Sequence, residues 1–182
     1  MSLRETKRLR TRRVIQEQAM RLFLERGFDA TTVAEVAAAA DVSAMTVFRH
    51  FPTKESLVLE DDYDPVIADR VRSRPADEPV LRRIAASILD GLGEVPPDPR
   101  LLLARTQLIL RTPALRARLW ENNHATQQII VAALPGHDPF HVQVAADACL
   151  AAATAAMVRW ADDEGRTDLR SLMAEALEVV TG

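Results

Sequence analysis

Cysteine and glycine are both scarce in this chain, which has one cysteine and six glycines among 182 residues. A single cysteine, Cys149, cannot form an internal disulfide, so the cysteine content gives no sign of an extracellular scaffold. Cys149 lies in an alanine-rich apolar run, and we expect its thiol to be buried and unreactive. Alternating runs of Val, Ile and Thr are also missing, whereas Ala and Leu dominate. These features predict an all-α protein.

Sequence patterns of membrane insertion and of catalysis are missing as well. No apolar run reaches the length that we expect of a membrane span, and the N-terminal residues lack a signal-peptide pattern. We therefore expect a cytoplasmic protein. The chain has no glycine-rich phosphate loop, nucleophile elbow, Cys-x-x-Cys or His-Glu-x-x-His motif. We therefore expect neither an enzyme nor a cofactor. His137 and His141 have metal-ligand spacing, but His137 precedes a predicted N-cap at Asp138, so we expect no metal site.

Charge is distributed unevenly along the chain. The formal net charge is -3, yet residues 1–13 carry six basic side chains and one acidic side chain. Residues 1–58 carry ten basic and seven acidic side chains. Residues 59–182 therefore carry thirteen basic and nineteen acidic side chains. A basic N-terminal part on an acidic body indicates a polyanionic partner at one end only. The basic segment 1–13 is either an arm that contacts DNA or a solvated, frayed terminus.

Residues 14–57 predict three short helices after the basic segment. Residues 14–26 have an apolar stripe and end at Gly27, a left-handed C-cap, with Phe28 packing back. Thr32 and Glu35 have the spacing of a capping box that starts a second helix. Ser43 is the predicted N-cap of a third helix, which Pro52 ends. This third helix is apolar on one side and polar or basic on the other, which suits the recognition helix of a helix-turn-helix domain.

The residues of this stretch resemble the DNA-binding domain of TetR-family transcriptional regulators. The matching positions, which cover about the first third of the chain, are Gly27-Phe28, Thr31-Thr32-Val33, Val36-Ala37, Val42-Ser43, Thr46-Val47-Phe48-Arg49-His50-Phe51 and Lys54-Glu55-Ser56-Leu57. The resemblance implies a homodimeric regulator, expected to be a repressor, that binds a pseudo-palindromic operator in double-stranded DNA. It also implies release of the DNA by a small-molecule effector.

The resemblance assigns DNA contacts to ten residues. Those expected to hold phosphates are Thr31, Thr32, Thr46, His50 and Lys54. Those expected at or beside the base-facing edge are Ser43, Ala44, Met45 and Arg49. Phe48 stands where the family commonly has Tyr, so it lacks a hydroxyl for a phosphate, although apolar contact with a thymine methyl group remains open.

The rest of the chain predicts a helical body. We expect residues 1–58 to form the helix-turn-helix domain and residues 59–182 an effector-binding and dimerisation domain. A helix from Thr53 towards Tyr63 should kink or break at Pro65. The acidic residues around position 61 are interpreted as a solvated face rather than a metal site. Further helices are expected at 80–92, 100–111 and 113–134.

Polar residues fall on predicted inward faces of two body helices. Arg105 shares a stripe with Leu101 and Leu108, whereas Asn123 and Gln127 share one with Ile130. Such groups are either hydrogen-bonded inside the core or face a ligand. Trp120 borders the second stripe as a weaker ligand candidate. Leu115-Arg116-Ala117-Arg118-Leu119-Trp120-Glu121 is similar to a segment of TetR members that bind acyl-CoA-like ligands.

The last two predicted helices are the candidates for a subunit interface. Residues 140–160 are alanine-rich and apolar around most of the helix, so a face is left over for a partner. Residues 169–180 form a final amphipathic helix. The resemblance implies a four-helix interface in a homodimer. The alternative interpretation is a helical ligand-binding or interaction module that does not bind specific DNA sequences.

Overall fold

The computed structural model describes residues 3–60, 63–94 and 98–182, and within them the chain forms helices and no strand. The helices are α1 Leu3–Arg26, α2 Val33–Ala39, α3 Ala44–His50, α4 Ser56–Leu59, α5 Tyr63–Ser73, α6 Val80–Glu94, α7 Pro99–Arg111, α8 Pro113–Ala117, α9 Leu119–Ala133, α10 Pro139–Asp162 and α11 Leu169–Thr181. The all-α prediction is confirmed. The helices belong to two compact units, Met1–Glu60 with Leu108–Arg118, and Asp61–Gln107 with Leu119–Gly182.

The first unit is built around the apolar stripe of α1. Ile15, Ala19 and Phe23 are buried at helical spacing, as predicted, and α1 contacts α2 and α4. Gly27 ends the helix with a φ of 92°, and the ring of Phe28 packs 5.1 Å from that of Phe23. The predicted C-cap and its closing aromatic contact are confirmed.

The helix α1 begins much earlier than the sequence predicted. Residues 3–13 lack an apolar stripe, so we expected an arm or a frayed terminus before the helix, but the helix is continuous from Leu3 to Arg26. Leu, Arg, Lys and Glu are strong helix formers, and a helix already nucleated at residues 14–26 extends through such residues at little cost. Arg12 also has partners within the unit, which are described below.

The helix predicted from Thr53 to Tyr63 is wrong, because two helices occupy this region. The backbone N–H of Thr53 donates to Ser56 Oγ, and that of Ser56 donates to Thr53 Oγ1. The helix α4 ends at Leu59, and the following Glu60 is extended, with a ψ of 138°. Pro65 does not break a helix, since it is the third residue of α5, where a missing N–H is tolerated. The acidic residues Asp61 and Asp62 lie outside the described residues.

The second unit is a layered helical bundle. Its α10 contacts α6, α9 and α11, while α5 contacts α6 and α9. The helix predicted at 80–92 is confirmed and continues to Glu94, with Ile84, Ala85 and Ile88 buried. Pro96 and Pro97, which cannot continue a helix, lie outside the described residues. Asp98 accepts a hydrogen bond from the N–H of Arg100, as expected of an N-cap.

Two of the predicted inward stripes are incomplete. The helix predicted from 113 to 134 is interrupted at Arg118, where the backbone forms a turn between α8 and α9. In α7 the buried residue is Thr106, whereas Arg105 is half-buried and Leu101 is exposed. Arg105 therefore does not lie on a fully buried apolar wall.

The α10 helix contains a longer apolar run than we predicted. Its 24 residues are, by length and composition alone, long and apolar enough to cross a membrane. The prediction that no run reaches this length is therefore wrong. Alanines account for much of the hydropathy, and the same helix supplies core residues such as Ala146, Cys149 and Trp160 to the second unit. A helix in a protein core can be as long and apolar as one that spans a membrane.

Candidate nucleic-acid interface

The turn between α2 and α3 is built from local hydrogen bonds. Glu35 and Thr32 form the predicted capping box, with the Thr32 N–H donating to Glu35 Oε2 at 2.8 Å and the Glu35 N–H donating to Thr32 Oγ1 at 3.2 Å. These bonds and the Arg26 and Lys54 cations lower the pKa of Glu35. After α2, Asp41 adopts a φ of 52°, and the N–H of Val42 donates to the Ala37 carbonyl. This geometry turns the chain sharply into α3.

The helix α3 has an anchored face and an exposed face. Val47 and Phe51 are buried, and the Phe51 N–H donates to the Val47 carbonyl. The exposed face carries Ala44, Met45, Phe48 and Arg49. Met45 is 76% exposed and Phe48 47%, so neither is part of the core.

The side chains of Ser43 and Thr46 already form hydrogen bonds at the start of α3. Ser43 accepts the Thr46 N–H at 3.1 Å as the predicted N-cap, and the two hydroxyls are 2.9 Å apart. Both residues retain solvent access, so a further contact to an anion is sterically open.

The two threonines of the predicted phosphate set are placed differently. Thr32 is exposed, although its hydroxyl donates to Glu35. Thr31 is fully buried, and its hydroxyl donates to the Gly27 carbonyl at 2.9 Å. A buried hydroxyl committed to the backbone cannot reach a phosphate, so the sequence assignment of Thr31 does not fit the structure.

Lys54 is held in place by aromatic rings. Its ammonium lies 4.3 Å from the centroid of the Phe28 ring and 5.8 Å from that of Phe23. Attraction to the ring faces fixes the direction of a side chain that would otherwise be mobile. Lys54 is half-buried and keeps a solvent-accessible charge.

His50 lies among cations at the end of α3. Burial, followed by the charges of Arg49, Arg12 and Arg8, lowers the pKa of His50 below its ordinary value of 6.5. The influence of Arg8 and Arg12 places the basic N-terminal half of α1 near the last turn of α3. Further exposed cations follow along the same half of α1: Arg4, Lys7, Arg10 and Arg13.

Two residues of α1 hold the C-terminal ends of α3 and α4, and neither role was predicted from the sequence. Arg12 donates to the His50 carbonyl at 2.8 Å and to Glu60 Oε2 at 2.9 Å, while its guanidinium stacks 4.2 Å from the centroid of Phe51. Gln16, one turn later, donates to the Glu60 carbonyl at 2.5 Å and to the Leu57 carbonyl at 3.3 Å. The i, i+4 spacing of the two polar residues was the available signal, but their partners lie about 40 residues away.

The predicted ligand residues of the second unit do not form one buried group. Gln127 is buried and accepts from Gln128 at 2.9 Å, whereas Asn123 is half-buried and donates to Thr154 Oγ1 at 3.4 Å. Trp120 is 73% exposed and stacks in parallel on His124, with ring centroids 5.4 Å apart. Trp120 thus lies on the surface, away from the buried stripe that it was predicted to border.

Metal and thiol chemistry find little support in the described part of the chain. Within residues 3–60, 63–94 and 98–182, no group of three or more His, Cys, Asp or Glu side chains is arranged to hold a metal ion. Burial raises the pKa of the Cys149 thiol to about 11, and its sulfur lies 3.7 Å from the Leu81 carbonyl. Such a thiol is protonated and unreactive at neutral pH.

Comparisons with known proteins match both units. A family model described as bacterial regulatory proteins of the tetR family matches residues 15–60, and one described as the MftR C-terminal domain matches residues 78–182, more than half of the chain. The HTH-type transcriptional regulator TcmR of Streptomyces glaucescens is 34% identical over 147 residues, covering 75% of this chain and 65% of TcmR. The match thus spans slightly less than two thirds of that relative's length.

Solved structures show the same fold. FadR of Thermus thermophilus, a transcriptional repressor in complex with lauroyl-CoA, has a TM-score of 0.56 and 25% identity, covering 93% of this chain and 92% of FadR. SmeT of Stenotrophomonas maltophilia, a multidrug efflux pump repressor, has in its triclosan complex a TM-score of 0.60 and 20% identity, covering 93% and 88%. The chain belongs to the TetR family of bacterial regulatory proteins.

Proposed function

We propose that this protein is a ligand-responsive, DNA-binding transcriptional regulator that represses from a pseudo-palindromic operator. The observation that carries the proposal is α3, which is anchored by buried Val47 and Phe51 and presents Met45, Phe48 and Arg49 to solvent. A helix held in this way and flanked by cations suits the major groove of duplex DNA. The family is one of regulators rather than enzymes, and we propose a cytoplasmic location with no membrane partner.

The residues of the first unit divide into two roles. We assign phosphate contacts to Thr32, Thr46, His50 and Lys54, and leave out the buried Thr31. We assign the base-facing edge to Ser43, Ala44, Met45, Phe48 and Arg49. The exposed cations of α1 add contacts to neighbouring phosphates. Residues 1–58 form the DNA-binding domain in this proposal, and residues 59–182 the effector-binding and dimerisation domain.

TetR-family regulators act as dimers, and α10 and α11 supply the candidate interface here. The exposed apolar residues of α10 include Phe140, Val144, Ala151 and Ala155, which recur at helical spacing on one face together with the exposed Asp147. Val179 on α11 is 81% exposed. Burying these apolar side chains against a second copy removes them from water and presents two α3 helices to DNA, about 34–36 Å apart.

The proposed effector is a small hydrophobic molecule, with an acyl-CoA-like compound as the first candidate. The support is the likeness to FadR of Thermus thermophilus in complex with lauroyl-CoA. Arg105 is the cation that we assign to an acidic head group, with Asn123, Gln127 and Trp120 as further candidates. A coupling free energy of about 3 kcal/mol between effector and DNA would change operator affinity roughly a hundredfold.

The function is tested by selecting bound sites from random duplex DNA, with and without lauroyl-CoA. We expect an enriched inverted repeat and its loss when lauroyl-CoA is present. Lys54→Ala should weaken binding to all sequences alike and lower the salt slope by about 1, while Arg49→Ala should change the preferred bases. Failure to enrich any sequence, with lauroyl-CoA still raising the melting temperature, would favour a ligand-binding module without specific DNA binding.

A further inference from the structure

The exposed face of α3 carries two large apolar side chains, Met45 and Phe48. Met45 and Phe48 are three residues apart, so their side chains neighbour each other on one side of the helix. Both are exposed, and Arg49, one turn after Met45, is the charged residue beside them. Neither is needed as core, because Val47 and Phe51 already anchor the helix from its buried side.

The charge around this apolar pair identifies the class of partner. The exposed cations Arg4, Lys7, Arg8, Arg10 and Arg13 lie on α1, which reaches the end of α3 through Arg8 and Arg12. Lys54, held over the Phe28 ring, adds a further positive charge to the same unit. A polyanion therefore fits this surface, whereas an apolar protein groove or an acyl chain does not.

The chemistry of the two side chains then limits which DNA groups they can contact. Phe48 has no hydrogen-bonding atom, and the thioether of Met45 is at most a weak acceptor. Neither side chain gains from a phosphate. In the major groove the apolar group on the base edges of ordinary DNA is the C5-methyl of thymine.

We infer that Met45 and Phe48 read thymine methyl groups in each operator half-site, next to the base pair contacted by Arg49. The inference rests on the proposed function and adds the base chemistry that sets its specificity. Contact with a methyl group buries apolar surface on both partners without leaving a donor or acceptor unpaired. The flexible Met45 adapts to the position of the methyl group, and the rigid Phe48 ring fixes the register.

The test replaces thymine by deoxyuridine, which removes only the methyl group. The full chain is titrated against the selected operator and against duplexes with a single T→dU change at each thymine of a half-site. We expect at least two positions at which the change weakens binding about fourfold, the loss expected for one buried methyl group. At those positions Met45→Ala or Phe48→Ala should abolish the difference between T and dU.

A matched control separates recognition of the thymine methyl group from a general effect of surface hydrophobicity. Leu24→Ala removes a comparably exposed apolar side chain from α1 and should leave every T-to-dU difference unchanged. Tight operator binding with equal affinity for T and dU duplexes would overturn the inference and leave the regulator proposal intact. The same holds if both alanine variants keep the full T-to-dU difference. No binding to any selected duplex would instead remove the regulator proposal, and this inference with it.

Discussion

At the scale of single residues, His50 makes DNA binding depend on pH. Its lowered pKa keeps the imidazole neutral near pH 7, and nearby phosphates would favour the protonated form. Binding should therefore take up a proton, and operator affinity should rise as the pH falls from 8 to 6. In His50→Gln this rise should be lost, whereas His124→Gln, on the second unit, should retain it. Anisotropy titrations across this range measure the effect, and identical profiles for wild type and His50→Gln would contradict it.

The sign for stability is opposite to that for binding. Because the pKa of His50 is lower in the folded chain than its ordinary value of 6.5, its contribution to folding is present above about pH 6.5. That contribution is lost as the pH falls through the folded pKa. Stability and operator affinity should therefore change in opposite directions on acidification, and both should respond to His50→Gln.

Arg12 is the second residue whose role can be isolated. Its hydrogen bonds to His50 and Glu60, and its stacking on Phe51, join α1 to the end of α3 and to the end of α4. Arg12→Ala should lower the free energy of unfolding by about 2 kcal/mol. Arg12→Lys should recover only part of this, because an ammonium lacks the planar fork.

Denaturant unfolding measures the Arg12 effect, with its exposed neighbour as the control. Arg13→Ala removes the same charge from the next position and should change stability by less than about 0.5 kcal/mol. Equal losses in Arg12→Ala and Arg13→Ala would mean that net charge, rather than the specific contacts, stabilises the unit.

At the scale of whole helices, Arg83 attaches α6 to the C-terminal end of α5. Arg83 is buried, and its guanidinium donates to the Val71 carbonyl at 2.6 Å and to the Arg72 carbonyl at 3.2 Å. These carbonyls lie at the end of α5, where a cation is favoured and partners within the helix run out. Arg83→Ala should cost about 2–3 kcal/mol by leaving them unpaired. The exposed Arg82→Ala is the control, and a similar loss in both variants would exclude this role.

The sequence predicted those parts of the helices that depend on neighbours three or four residues away. Thr32 with Glu35, Ser43 with Thr46, and Gly27 after Phe23 are of this kind, and the structure has each of them. The sequence analysis did not predict that the helix after Thr53 ends before Glu60. That end depends on contacts of Glu60 with Arg12 and Gln16, which are 48 and 44 residues away. Residues 3–13 were misjudged because helix propensity, rather than an apolar stripe, extends α1. The exposed position of Trp120 was not predicted, because the turn at Arg118 rotates α9 relative to the single helix expected at 113–134.

At the scale of the whole molecule, the exposed apolar side chains of α10 lead us to predict self-association through this helix. Val144 is 53% exposed and lies on the face that also carries Phe140 and Ala151. Val144→Arg should convert a dimer to a monomer, because a long charged side chain would replace an apolar one that the partner buries. Ala132→Arg, on the exposed side of α9, adds the same charge elsewhere and should remain dimeric. Light scattering after size exclusion measures the masses, and a dimer of Val144→Arg would place the interface elsewhere.

The central claim is that two copies of α3, fixed by one symmetric dimer, lie in successive major grooves on the same side of DNA. The most direct measurement is the affinity for the selected operator after five base pairs are inserted between its half-sites. Because half a helical turn moves one half-site to the opposite side of the duplex, the account predicts at least a hundredfold loss, with much of the affinity regained after ten inserted base pairs. Unchanged affinity after five inserted base pairs would contradict it.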